Sequence, residues 1–133
     1  MTGADASTAW FHPNWRAHQL RARLLLETGN LSDALPAARA SLEFHPDNAQ
    51  TLILLGHILR ARAAEGRSPL SESIAAYRRA AALHPGPAVA RFNLGLACGA
   101  AGRPEEAERA FRETLAIVPA HGPAAFNLAA VLA

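Results

Sequence analysis

The stretch Arg91-Phe92-Asn93-Leu94-Gly95-Leu96-Ala97-Cys98 decides the fold of this 133-residue chain, because its pattern recurs along the sequence. Ala107-x-x-x-Phe111 and then Pro119 follow it. Phe126-Asn127-Leu128-Ala129 repeats the start of the stretch, at the same interval that separates Pro85 from Pro119. A fixed interval of this kind indicates an array of similar units. Small residues at spaced positions suit helices that pack closely, so we expect each unit to be a pair of helices.

An upstream unit has the same order of residues, with Leu55-Gly56, then Ser73-x-x-x-Tyr77, then Pro85. The interval from Pro46 to Pro85 is longer than the interval from Pro85 to Pro119. The second unit therefore carries about five extra residues around residues 63–68. They predict a longer first helix and a larger loop.

The first unit, from Arg16 to Pro46, is the weakest copy. Ala34-x-x-x-Ala38 fills the small-residue positions, while Arg21-Ala22 stands in the Leu-Gly position. Pro36 falls just inside the second helix, where early N–H groups lack helical partners in any case. Ser32-Asp33 and Ser68-Pro69 are predicted helix starts. We predict helices over residues 15–28, 32–44, 49–64, 69–83, 88–101, 104–117 and 122–133.

This pattern resembles the tetratricopeptide repeat family, which has a Leu-Gly pair, an Ala-x-x-x-Phe motif and a closing proline on a 34-residue period. The resemblance implies an all-α fold, an α-solenoid of antiparallel helix pairs. We expect three hairpins plus a single C-terminal helix. The predicted repeats cover about residues 15–48, 49–87 and 88–121, with a partial repeat at 122–133. Residues 1–14 are an N-terminal arm or the tail of a preceding helix.

Composition restricts the kinds of partner. Half of the residues are apolar, so the chain can bury a core. The net charge is only +2, which argues against nucleic acid, and all 13 basic residues are arginine, which favours carboxylate or phosphate contacts. No run approaches the roughly 18 apolar residues of a membrane span. With a single cysteine and no signal peptide at the N-terminus, a cytoplasmic location is expected.

Within the family, ligands commonly lie in a concave groove lined by the first helix of each pair. Helical spacing places twelve candidate binding residues on that face: Arg16, Gln19, Arg23, Gln50, Ile53, His57, Arg60, Phe92, Asn93, Leu96, Phe126 and Asn127. Their character changes from arginine-rich to apolar along the array. We therefore predict a protein or peptide partner with acidic residues at one end and an apolar anchor at the other. The alternative is that the arginines are ordinary surface and the phenylalanines pack between repeats.

Two asparagines resemble the asparagine ladder with which some tetratricopeptide grooves hold a peptide backbone. Asn93 and Asn127 occupy equivalent positions in successive units, but Leu20 and Leu54 occupy the matching positions upstream. The dicarboxylate clamp of the chaperone-binding members requires lysine, asparagine and basic residues. The corresponding positions here hold Gln19, Arg23, Leu54, Val89 and Asn93, so we do not expect binding of a chaperone tail.

Catalytic and metal-binding patterns are missing from the sequence, so we predict no enzyme activity, no cofactor and no metal site. The six histidines are spread along the units, and stacked helices lie about 10 Å apart, too far for shared zinc ligation. His45, His84 and His12 each precede a closing proline. Cys98 occupies the position of a large packed side chain in the family and is predicted to be a buried thiol.

The two ends of the sequence suggest further contacts. The last predicted helix is apolar almost all round, so it is expected to pack against more of the same array, a second copy or another protein. Self-association through this helix is one such possibility. The main functional hypothesis is a protein-interaction module. Its rival is a substrate-recruiting or oligomerising segment of a larger enzyme, and RNA binding through the arginines is disfavoured by sparse charge and few stacking aromatics.

Overall fold

The computed structural model describes residues 14–83 and 86–133, and within these ranges all regular structure is helical. The seven helices are α1 (Asn14–Glu27), α2 (Leu31–Phe44), α3 (Ala49–Ala64), α4 (Leu70–Ala81), α5 (Ala88–Ala100), α6 (Pro104–Ile117) and α7 (Gly122–Leu132). Their ends agree with the predicted ranges to within two residues, which confirms the all-α fold. Residues 1–13 of the predicted arm, with His12, and the His84-Pro85 closure lie outside the described residues, whereas Asn14 is the first residue of α1.

The helices pack as successive hairpins. α1 packs on α2, α3 on α4 and α5 on α6, and α7 packs on α6. Contacts between α2 and α3, and between α4 and α5, join neighbouring hairpins. The core runs through the stack, because Leu42 packs against the buried clusters of both halves.

Glycine lets an aromatic ring lie across the first helix in two of the hairpins. A Cβ atom on Gly56 would lie 2.4 Å from Cε1 of Tyr77, and one on Gly95 would lie 2.5 Å from Cε1 of Phe111. Both rings are almost completely buried. The motif residues of the sequence therefore form one repeated contact between the two helices of a hairpin.

In the first hairpin, two alanines stand at the positions of the glycine and the aromatic ring. Ala22 stands in the glycine position and Ala38 in the aromatic position, and both are fully buried. Both alanines belong to the same buried cluster. The first unit therefore forms a hairpin with two small residues where the other hairpins have glycine and an aromatic ring.

The second hairpin is enlarged as predicted. α3 has 16 residues, compared with 14 in α1 and 13 in α5. The following loop, residues 65–69, is also longer than the loops at 28–30 and 101–103. Arg62 Nε donates to Ser68 Oγ at 2.9 Å, and Arg67 Nη1 donates to Ser32 Oγ at 3.3 Å. The loop is thus bonded to α3 and to the start of α2.

Two predicted helix starts were wrong in detail. α2 begins at Leu31, and Asn30 rather than Ser32 is its cap, because the Asn30 Oδ1 atom accepts from Asp33 N at 3.2 Å. α4 begins after Pro69 without a side-chain cap, and Ser68 bonds to Arg62 instead. Asn30 is closer to the turn than Ser32, so its side chain reaches the free N–H groups of the first turn.

Candidate functional site

The surface that the first helices of the hairpins present is called the inner surface here. α1 contacts α3 directly, and α5 contacts α7, while the described residues of the second helices make no comparable contact with each other. Helices that approach one another lie on the inside of a curved stack, and those held apart lie on the outside. The inner surface is therefore formed by α1, α3, α5 and α7.

The arginine-rich end lies on α1. Arg16 and Arg23 are exposed, and neither forms a salt bridge with the described part of the chain. The Arg16 guanidinium carbon lies 4.9 Å from the ring centroid of Trp15, so the ring restrains this side chain. Leu20, between the two arginines, is half-exposed and adds an apolar side chain to this end of the surface. From the sequence, Leu20 was expected only to interrupt the asparagine ladder.

Gln19 joins two repeats and is not exposed for ligand binding. Its side chain is only 9% exposed, and its Nε2 atom donates to Thr51 Oγ1 at 2.8 Å and to Asn48 Oδ1 at 3.3 Å. These bonds fix α1 against the start of α3. The amide group of Gln19 is therefore already engaged within the protein.

The middle of the inner surface carries a cluster of three side chains. His57 Nδ1 lies 2.7 Å from Oη of Tyr77, and the two ring centroids are 5.5 Å apart. The guanidinium carbon of Arg60 lies 5.8 Å from the Tyr77 ring centroid. Gln50 on the same helix is exposed, whereas Ile53 is buried in the core.

Burial changes the proton affinities in this cluster. It lowers the pKa of His57, and the nearby Arg60 charge lowers it further. Burial also raises the pKa of Tyr77 to about 12, although Arg60 acts in the opposite direction. His57 therefore favours the neutral imidazole, and Tyr77 keeps its hydroxyl proton at neutral pH.

The C-terminal end of the inner surface is apolar. Phe92 is half-buried against Phe111 and His121, with ring centroids 6.0 and 4.8 Å apart. Phe126 is 75% exposed on α7. Phe92 thus packs against its own hairpin and the cap of α7, while Leu96 is partly exposed and Phe126 is largely exposed. Beyond Phe92, α5 and α7 border a cleft of about 260 Å³, lined by Leu96, Gly95, Gly99, Ala100, Phe111, Asn127, Ala130 and Val131.

The two asparagines use their amide groups within their own helices. Asn93 Nδ2 donates to the Val89 carbonyl at 2.9 Å, and Asn127 Nδ2 donates to the Pro123 carbonyl at 2.7 Å. Asn93 is only 7% exposed, whereas Asn127 lines the apolar cleft. Their Oδ1 atoms accept no bond from the described residues, so backbone recognition by these residues stays a prediction.

The role of the Tyr77 hydroxyl does not follow from the repeat motif. The motif predicts only a packing role for Tyr77, and helical spacing places His57 separately on the inner surface. A signal was present, because the same motif position holds Phe111 in the next repeat, and a buried tyrosine hydroxyl needs a hydrogen-bond partner. His57 is that partner.

The cysteine and the last histidine have structural roles in the fold. Cys98 is buried and free, as predicted, and burial raises the pKa of its thiol. His121 accepts a hydrogen bond from Ala124 N at 3.0 Å and caps α7.

Residues 14–83 and 86–133 contain no group of three metal-ligating side chains. Within those same ranges, every helix is too short or too polar to cross a bilayer.

Comparison with family profiles identifies the repeat. One tetratricopeptide repeat profile matches residues 47–120, and a second matches residues 15–58. The chain belongs to the tetratricopeptide repeat family. The resemblance deduced from the motifs is therefore confirmed, and neither profile describes a catalytic family. A comparison with curated protein sequences finds no significant match.

Several solved structures are similar to the array. The first TPR domain of Spaghetti (RPAP3), bound to the HSP90 peptide SRMEEVD, has a TM-score of 0.78 at 16% identity, covering 89% of this chain and 90% of that one. YrrB, described as a TPR protein with an unusual peptide-binding site, gives 0.73 at 21% identity, covering 86% and 56%. At these identities the likeness establishes the fold. A mutant O-GlcNAc transferase of Thermobaculum terrenum gives 0.73 at 27% identity, covering 90% of this chain and 22% of that chain.

Proposed function

We propose that this array binds a protein or peptide along its inner surface, in a groove that begins at Arg16 and Arg23 and ends at the apolar cleft beside α7. Two features together support the proposal. The arginines at one end form no salt bridge with the described residues, and an open apolar cleft lies at the other end. Two structural neighbours are peptide-binding TPR proteins by their own descriptions, which agrees with this role.

The proposed ligand is an extended segment with acidic side chains near one end and an aliphatic or aromatic anchor near the other. Arg23 and Arg60 have no carboxylate partner in the described part of the chain, so an acidic ligand would not have to displace an internal ion pair. Gly95 and Gly99 line the cleft beside Leu96 and contribute no side chain to it, which suits an apolar side chain of the ligand. Desolvation of such an anchor supplies much of the affinity of a small interface.

Charge reversal tests the proposal directly. A peptide selected for binding would lose at least about tenfold in affinity, together with the salt dependence of its binding, when Arg23 and Arg60 are both changed to Glu. Arg39→Glu is the matched control, because Arg39 is exposed on α2, away from the inner surface, and forms no salt bridge with the described residues. Unchanged affinity in the double variant, with circular dichroism showing an intact fold, rejects acidic recognition by these arginines.

A second candidate function is a recruiting or oligomerising segment of a larger enzyme. It is favoured by the 27% identity to part of the Thermobaculum terrenum transferase, of which the matched region is 22%. Sequencing the reading frame on both sides of residues 1–133 distinguishes the candidates, since a catalytic domain in the same frame supports the enzyme. The cytoplasmic location stays a prediction that cell fractionation can test.

A further inference from the structure

We propose that His57 and Arg60, held by the ring of Tyr77, form a subsite on α3 for a carboxylate, and that this subsite recognises an acidic side chain of the bound partner. The inference rests on the proposed function and names the chemical group that the inner surface selects. It adds a defined carboxylate contact at the middle of the inner surface to the arginine-rich end on α1.

Tyr77 brings the two polar groups together. It belongs to α4, but its ring reaches across α3 because Gly56 has no side chain in its path. The Tyr77 hydroxyl lies 2.7 Å from His57 Nδ1, and the Arg60 guanidinium carbon lies 5.8 Å from the centre of the same ring. His57 and Arg60 are one helical turn apart, so both side chains lie on the same face of α3.

The charge of Arg60 is not neutralised within the described residues. Five salt bridges are formed there, and none involves Arg60. Its contact with the Tyr77 ring is a cation–π interaction, worth about 0.5–1 kcal/mol at an exposed site. The N–H groups of the guanidinium have no hydrogen-bond partner among residues 14–83 and 86–133. A carboxylate is the group whose geometry matches a guanidinium in a bidentate contact.

His57 supplies a second donor beside Arg60. Tyr77 remains protonated at neutral pH, since its pKa is about 12, and its hydroxyl can donate to Nδ1 of the neutral imidazole. The imidazole proton then lies on Nε2, which makes no hydrogen bond with the described part of the chain. An N–H donor and a guanidinium on one helix face form a binding site for a carboxylate oxygen pair.

Packing alone does not require this arrangement. The next repeat fills the same motif position with Phe111, which packs against Gly95 as Tyr77 packs against Gly56. In that repeat Leu96 follows the glycine, at the position that His57 holds in the second repeat. The hydroxyl and the histidine thus occur together in the second repeat, and the third repeat has neither group at the equivalent positions.

Selection of peptides from a random library, displayed on phage, tests the subsite. Wild type and an Arg39→Gln control are expected to select peptides with Asp or Glu at one position, whereas Arg60→Gln loses that preference. Arg39 is exposed on α2, away from the inner surface. Peptides that bind without any acidic preference, or a preference that persists in Arg60→Gln, overturn the inference and leave peptide binding by the array standing. A failure to select any binding peptide rejects both.

Tyr77→Phe tests the positioning role of the hydroxyl. The fold should persist, because Phe111 shows that phenylalanine fits this position. Affinity for a selected acidic peptide is expected to fall about tenfold in Tyr77→Phe, which is the effect of losing one charge-assisted hydrogen bond from His57 to the carboxylate. The same peptide with Gln in place of the acid is expected to bind wild type and Tyr77→Phe equally. Equal losses for both peptides would show that the hydroxyl acts only in packing and would overturn its positioning role.

Discussion

At the scale of single residues, the contact between glycine and an aromatic ring controls the stability of the hairpins. Gly95→Ala would place a methyl group 2.5 Å from the buried Phe111 ring, and Gly56→Ala would do the same at 2.4 Å from Tyr77. Because both rings are almost completely buried, each change should lower the free energy of unfolding by about 1–3 kcal/mol. Urea denaturation of the purified variants measures the loss.

Gly99→Ala is the matched control on the same helix as Gly95. A Cβ atom there would have Ala107 Cβ as its nearest neighbour, at 4.0 Å, which is an ordinary contact. Alanine is a better helix former than glycine, so this variant should gain about 0.5–1 kcal/mol. If Gly95→Ala and Gly99→Ala changed stability equally, the ring contact would not be the determinant.

His57 should give the protein a measurable pH dependence. Its pKa is lowered in the folded state from the ordinary value of 6.5, so the unfolded state binds the proton more tightly. The free energy of unfolding should therefore fall as the pH drops from about 6.5 through the folded pKa of His57. Urea denaturation at several pH values would show this fall in wild type. An identical fall in His57→Gln would assign it to other groups.

Helical spacing selected candidate residues for the inner surface, but it could not predict which of them are open to solvent. Arg23 is exposed and Arg60 is partly exposed, while Gln19 and Asn93 are covered at the edges of the face. The difference depends on the offset between neighbouring hairpins. That offset is set by three-dimensional contacts such as the Gln19–Thr51 hydrogen bond, which join residues far apart in sequence.

At the scale of helices, the start of α2 depends on one side chain. Asn30 Oδ1 accepts from Asp33 N, and Asn30 Nδ2 donates to Asp33 Oδ2 at 3.0 Å. Asn30→Ala should therefore destabilise the protein by about 1 kcal/mol, as expected for the loss of a cap. Ser32→Ala, which removes only an exposed bond from Arg67, should cost less. Thermal unfolding of both variants compares them, and the reverse order would identify Ser32 as the cap.

The sequence predicted all seven helices and the enlarged second hairpin because apolar periodicity, turn glycines and closing prolines agree in each unit. Gly29, Gly66 and Gly102, which lie in the turns of the three hairpins, adopt positive φ angles of 81°, 75° and 74°. The caps were harder to predict, since Asn30, Ser32 and Asp33 are all capping residue types within one turn. Only the backbone geometry distinguishes among them.

At the scale of the whole molecule, α7 leaves an apolar face open. Phe126 and Leu132 are exposed, and α7 carries no charged side chain. We expect the protein to self-associate through this face at high concentration, because exposed apolar helices favour association. Light scattering should detect a dimer in wild type and a monomer in Phe126→Glu. A wild-type monomer at high concentration would exclude self-association.

The central claim is that the array binds its partner on the inner surface formed by the first helices. The most direct measurement is an NMR titration of the protein with a peptide selected for binding, following the backbone amide signals of every helix. The largest shifts are predicted on α1, α3, α5 and α7, centred on His57 and Arg60, with α2, α4 and α6 little changed. Shifts confined to α2, α4 and α6 would contradict the account.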